Sequence, residues 1–220
     1  MRMKLFIIIS LLLTATVPLF SMNGFCSPQP YETPTKATEA ATEALPIFLK
    51  AIPLQELDRF NFNSPQELNR ATLGEPFRIF TINPQDILSY DGQTKVSELI
   101  KAIDIWFFPV EVQGRARTLL RVEKTDEAWK AVSIGASALA REWASIEKAH
   151  PRQPGSQKTF IRIYSAVSDY VLFDYFQEGS VLVPLSSAST FEGVATGKLY
   201  PPSEALMDLK KVLQKKFEIN

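Results

Sequence analysis

The stretch Trp106 to Arg121, WFFPVEVQGRARTLLR, commits the centre of the chain to antiparallel sheet. Two strand-like arms meet at Gln113-Gly114, a pair suited to a two-residue hairpin turn. With that loop, Val112 falls opposite Arg115, Val110 opposite Arg117, Phe108 opposite Leu119 and Trp106 opposite Arg121. One face then carries Trp106, Phe108, Val110, Arg117, Leu119 and Arg121. The other carries Ile105, Phe107, Pro109, Glu111, Ala116, Thr118, Leu120 and Val122, whose inner half is uniformly apolar, and is the expected core face.

The first face is the candidate binding surface. Guanidinium groups stacked on rings, worth about 0.5–2 kcal/mol per contact, make an amphipathic surface suited to sugars, peptides or carboxylates. The candidate ligand- or partner-binding residues are Trp106, Phe108, Arg115, Arg117 and Arg121. The plain structural reading is that a helix covers the aromatic half while the arginines reach past its rim to water.

Strand and helix signals alternate in runs around this hairpin. Ser64-Pro-Gln-Glu67 has the spacing of a capping box that opens a short helix through Ala71. Phe77 to Ile82 alternates as a strand, Asn83-Pro84 starts a helical turn closed by Asp91-Gly92, and Lys95 to Ala102 forms another. Trp129 to Ile134 is a strand, and Ser137 to Ala149 is the best helix in the chain, with Leu139, Trp143 and Ile146 at helical spacing. Strands are expected at Phe160 to Ser165, Tyr170 to Phe176 and Ser180 to Leu185, and a terminal helix at Ser203 to Phe217. The fold class is therefore α+β: a mostly antiparallel sheet with a long mid-chain helix and a C-terminal helix. Arg78-Ile-Phe-Thr81 echoes Arg162-Ile-Tyr-Ser165, and Phe108-Pro-Val110 echoes Val183-Pro-Leu185. Both similarities are short enough to arise from the narrow alphabet of strands.

The N-terminus reads as a secretory signal peptide over residues 1–26. Met1-Arg-Met-Lys4 is its positive start, Leu5 to Phe20 its apolar run, and small and polar residues follow. The apolar run is shorter than the roughly 20 residues of a membrane-spanning helix, and Pro18 breaks its far end. Cys26 is the single cysteine, so no internal disulfide is possible. Lipidation of Cys26 is the secondary reading, because Phe25 stands where a lipobox has a small residue. Residues 27–45, rich in Pro, Thr, Ala and Glu, read as a flexible linker in which Thr38 to Ala44 has some helical preference, and 46–220 as one α+β domain. The expected destination is the periplasm or the exterior, with no membrane span after cleavage.

Composition excludes more chemistry than it suggests. Lys plus Arg and Asp plus Glu are equal at 24 each, so no overall field draws nucleic acid. One histidine, His150 at the end of the mid-chain helix, and one cysteine leave no zinc ligand set and make nucleophilic triads depend on His150, which reads as a helix-end residue. No glycine-rich phosphate loop occurs, and Asp86, Asp91 and Glu98 lack calcium-loop spacing, so no cofactor or metal is expected. Asp169 and Asp174 fall on opposite faces of one strand, and Ser186 to Thr190 reads as a self-satisfied loop. No catalytic residue is assigned. The functional expectation is an exported, non-catalytic binding or interaction module of the cell envelope or extracellular space, its partner an unknown small molecule or envelope protein. The alternatives are a carbohydrate-active or other hydrolase using paired acids, and a structural accessory subunit of an envelope complex.

Overall fold

The computed structural model describes residues 33–126, 128–151, 156–175, 179–190 and 195–218. The apolar leader, Cys26 and residues 27–32 of the expected linker lie outside the described residues. Among the described residues no helix is long and apolar enough to cross a membrane.

The strand-patterned segments assemble into one eight-stranded sheet. In chain order the strands are β1 (Thr72–Leu73), β2 (Phe77–Thr81), β3 (Lys101–Val112), β4 (Arg115–Thr125), β5 (Ala128–Gly135), β6 (Ser156–Ile163), β7 (Ser168–Tyr175) and β8 (Gly179–Pro184). Their spatial order is β5-β4-β3-β2-β6-β7-β8, with β1 pairing on β3. Every pairing is antiparallel except the central one, where β2 and β6 run parallel. The helices are α1 (Thr35–Ala51), α2 (Pro65–Leu68), α3 (Pro84–Leu88), α4 (Val96–Leu99), α5 (Ser137–Ala149) and α6 (Pro202–Glu218). This is the expected α+β architecture, with its mid-chain and C-terminal helices in place.

Strand alternation sends side chains to two cores. Phe77, Ile79, Phe107, Leu119, Phe160, Val171 and Phe173 meet Leu139, Ala140 and Trp143 of α5 on one face. On the other face, α1 covers Trp106, Phe108, Val110, Val112, Leu120 and Val122. Farther along that same face, α6 and Ile87 of α3 cover Phe80, Ile161, Ile163, Tyr170, Leu172 and Leu182. Both faces are therefore buried, whereas the sequence singled out one.

Two expectations need correction. The segment read as a flexible linker to residue 45 is helical from Thr35, and Ala37, Ala41, Leu45 and Leu49 face the sheet. The i, i+4 spacing of these residues makes a narrow stripe, and alanine lets the helix backbone sit close above β4 and β5. A composition poor in large apolar groups concealed this, because Ala contributes fit rather than bulk. The second correction is the hairpin register. Gln113 and Gly114 both take positive φ, as the expected turn requires, and Val112 lies opposite Arg115. Glu111 then lies opposite Ala116 and Val110 opposite Thr118, so Arg117 is an extra residue in a bulge. Beyond it the alternation is inverted: Phe108 faces Leu120, Trp106 faces Val122, and Arg121 lies opposite Phe107 on the α5 side.

The docking of α1 generates a direct test. Ala41→Leu places new bulk at a position with no exposed surface, and should lower stability by about 1–3 kcal/mol, read as a lower urea midpoint at unchanged slope. Glu39→Leu, on the exposed side of the same helix, should leave the midpoint nearly unmoved. A tether would tolerate both equally.

Candidate functional site

The five residues of the expected site are not brought together. Trp106 and Phe108 are each 1% exposed, in the core they share with α1, Leu57 and Phe62. Arg115 is exposed beside the turn. Arg117, on the bulge, donates from Nη2 to Glu67 Oε1 at 2.6 Å and so ties α2 to β4. Arg121 donates to Glu123 Oε2 at 2.5 Å on the opposite face from Trp106. The physical cause is the single bulged residue, which inverts the alternation beyond it and turns Arg121 to the face opposite Trp106, while Arg115 stays at the exposed end of the hairpin and Arg117 is taken up by Glu67. The guanidinium that does approach Trp106 belongs to Arg78, 5.9 Å from the ring centre, where it also donates to Asp104 Oδ1 at 2.8 Å and Ile103 O at 2.9 Å.

The other singled-out groups have structural work. His150 ends α5, donates its backbone N–H to Ile146 O at 2.9 Å and rests 4.8 Å from the Phe173 ring. Asp169 accepts two hydrogen bonds from Arg162, at 2.7 and 2.9 Å, and its backbone N–H donates to Ser187 Oγ at 2.9 Å. Burial alone disfavours the Arg162 charge, but the Asp169 hydrogen bonds and charge outweigh it and hold the guanidinium above its ordinary value. Asp174 accepts from Ser180 Oγ at 3.1 Å and does not approach Asp169, in keeping with their opposite faces. Among the described residues no group of three or more His, Cys, Asp or Glu side chains is placed to hold a metal ion.

A cavity lies at the junction of the two halves of the sheet. β6 begins at Ser156, yet its first partner on β2 is reached only at Phe160, opposite Ile79. On the other side, the chain pairs with β3 at Leu73 and again at Phe77, with Gly74, Glu75 and the N–H-lacking Pro76 stepping out of register between them. The sheet is left with a slot of about 310 Å³. Its lining comes from both faces: Phe77, Trp143, Lys158 and Phe160 from the α5 side, and Arg78, Phe80 and Trp106 from the other.

Within the slot the aromatic wall is well defined. Phe77 stacks on Trp143 at 4.1 Å between ring centres, and Phe160 lies 5.3 Å from Phe77 and 6.1 Å from Trp143. Three carboxylates, Glu75, Glu111 and Glu147, also line it. Lys158 is only 6% exposed in its side chain, and its Nζ lies 2.9 Å from Glu147 Oε1. Glu111 packs against Gly74, where a Cβ would collide with its carboxylate, so glycine at 74 makes room for that acid. The cavity thus combines ring faces with charged groups of both signs, the mixture of apolar wall and placed polar groups found in small-molecule pockets.

Sequence reasoning missed the slot because its residues are scattered from 75 to 160. One signal was present: Lys158 stands two residues before Phe160, so strand alternation points a cation toward the same core face.

The Arg117–Glu67 contact yields a pH prediction. Glu67 accepts from the Asn63 backbone N–H at 2.8 Å and from the Asn63 side chain at 3.0 Å, and these bonds with the Arg117 charge hold its carboxyl below the ordinary value. A carboxyl depressed in the folded state stabilises fully above its unfolded pKa, about 4.3, and loses that contribution as pH falls through the folded value. The stability difference between wild type and Glu67→Gln should therefore be largest near neutrality and shrink on acidification. A difference that grew toward acid would contradict the strut.

Compared with known proteins, the chain matches no family model, no curated protein and no solved structure, so the chemistry of the slot is read from its own residues.

Proposed function

We propose that the protein is an exported, non-catalytic binding module of the cell envelope or extracellular space, and that its ligand sits in the slot between β2 and β6 rather than on the hairpin. Export rests on the signal-like N-terminus, with its charged start and apolar run. The observation that carries binding is the slot itself: a cavity of about 310 Å³ with aromatic walls and charged groups of both signs. Its volume lies at the lower end of the range for small-molecule sites, roughly 300–1,000 Å³.

A second reading, a hydrolase acting through acids, is favoured by the carboxylates of Glu75, Glu111 and Glu147 on one cavity. Against it stands Lys158, which neutralises Glu147 by direct pairing. Release of reducing ends from a glycan panel, lost in both Glu75→Gln and Glu111→Gln, would replace binding with hydrolysis.

The binding reading is tested by thermal melts of the full chain against panels of sugars, peptides, amino acids and amines. A ligand present at about 100 times its Kd adds roughly 2.7 kcal/mol to stability. Ala144→Trp should fill the slot from the α5 side and abolish that shift. A shift that survives this substitution would place the ligand elsewhere.

A further inference from the structure

We infer that the slot is built for a zwitterion: a free amino acid or dipeptide with an apolar side chain. This rests on the slot being the binding site, and adds which ligand its unmatched groups require.

Two residues of the lining carry a buried donor without a hydrogen-bond acceptor, Lys158 Nζ and Trp106 Nε1. Lys158 is ion-paired with Glu147 at 2.9 Å, which leaves its ammonium, with three donors, able to serve a further acceptor; Trp106 is 1% exposed. Buried donors are nearly always matched in native proteins, so a pair on one cavity calls for an oxygen-bearing group. A carboxylate supplies two acceptor oxygens and the charge that suits the ammonium of Lys158. The lining also contains the reverse need. Glu111 carries neither a hydrogen bond nor an ion pair among the described residues, and its place beside Gly74 is preserved by the missing Cβ. That half-buried carboxylate is open to a donor with positive charge, which an ammonium provides.

The remaining wall is aromatic: Phe77, Trp143 and Phe160 offer ring surface to an apolar side chain. A simple carboxylic acid would answer the two donors and leave Glu111 unmatched, and a simple amine would do the opposite. A neutral sugar would answer neither charge. Only a molecule with both charges and an apolar body satisfies all three sets of groups, and the volume of about 310 Å³ limits it to the size of an amino acid or a short peptide.

The test is titration calorimetry on the full chain with L-phenylalanine, L-leucine and apolar dipeptides, beside 3-phenylpropionate, which lacks the ammonium, and phenethylamine, which lacks the carboxylate. The zwitterion is expected to bind about tenfold or more tightly than either half-ligand, the equivalent of about 1.4 kcal/mol. Lys158→Met, which keeps the aliphatic bulk, should weaken phenylalanine and 3-phenylpropionate but not phenethylamine. Glu111→Gln should weaken phenylalanine and phenethylamine but not 3-phenylpropionate. Half-ligands that bind as tightly as the zwitterion, or no binding by any amino acid or dipeptide, overturn the inference. Ala144→Trp separates the two levels: a sugar or amine whose binding it abolishes leaves the slot intact as a site and removes only the zwitterion, whereas any ligand it leaves bound removes the slot as well.

Discussion

The structure depends on one short parallel pairing. Ile79 and Phe80 of β2 face Phe160 and Ile161 of β6, and this contact alone joins two antiparallel meanders into a single sheet. Thr81 Oγ1 reinforces it by donating to Arg162 O at 2.8 Å. Parallel neighbours need a crossover, and here the crossover runs through α3, α4, β3, β4, β5 and α5. Because β2 is short and preceded by Gly74 and Pro76, the pairing ends early and the strands part. The same economy that joins the halves therefore leaves the slot between them.

The halves have a common plan. Each begins at the centre of the sheet, meanders outward in the opposite direction, and ends in a helix that packs back on the sheet: α5 after β2 to β5, α6 after β6 to β8, each also reaching residues of the other half. The two helices lie on opposite faces, as a rotation about an axis along the strands would place them. The sequence echo Arg78-Ile-Phe-Thr81 and Arg162-Ile-Tyr-Ser165 fits this plan. Arg78 pairs with Asp104 on the next strand outward and approaches Trp106, and Arg162 pairs with Asp169 on its own next strand and approaches Phe107 and Phe160. The second echo does not fit, since Phe108-Pro-Val110 is on β3 whereas Val183-Pro-Leu185 runs along and just past β8.

Much of the fold was legible in local chemistry. Periodicity located α5 at Ser137 to Ala149, and Gln113-Gly114 located the hairpin turn, because both signals concern neighbours in sequence. What escaped depended on partners far along the chain. The Arg117 bulge is held by Glu67, and no pattern within the hairpin announces it. The Ser64 box was half right: Glu67 does reach back, but to Asn63, and Ser64 makes no side-chain cap bond. The alanine stripe of α1 is meaningful only once the sheet beneath it exists. The slot, assembled from β2, β3, α5 and β6, was the least legible feature, since it is a gap in pairing and gaps have no sequence motif.

The parallel junction also sets an order of assembly. The hairpins β3–β4, β6–β7 and β7–β8 pair strands that are near neighbours in sequence and can form quickly, while β2 must wait for a strand about eighty residues away, and such distant contacts are the slow ones in folding. The slot takes shape only when that contact forms. A molecule held in the slot would touch both halves beside the pairing that joins them, so its binding would favour the completed sheet.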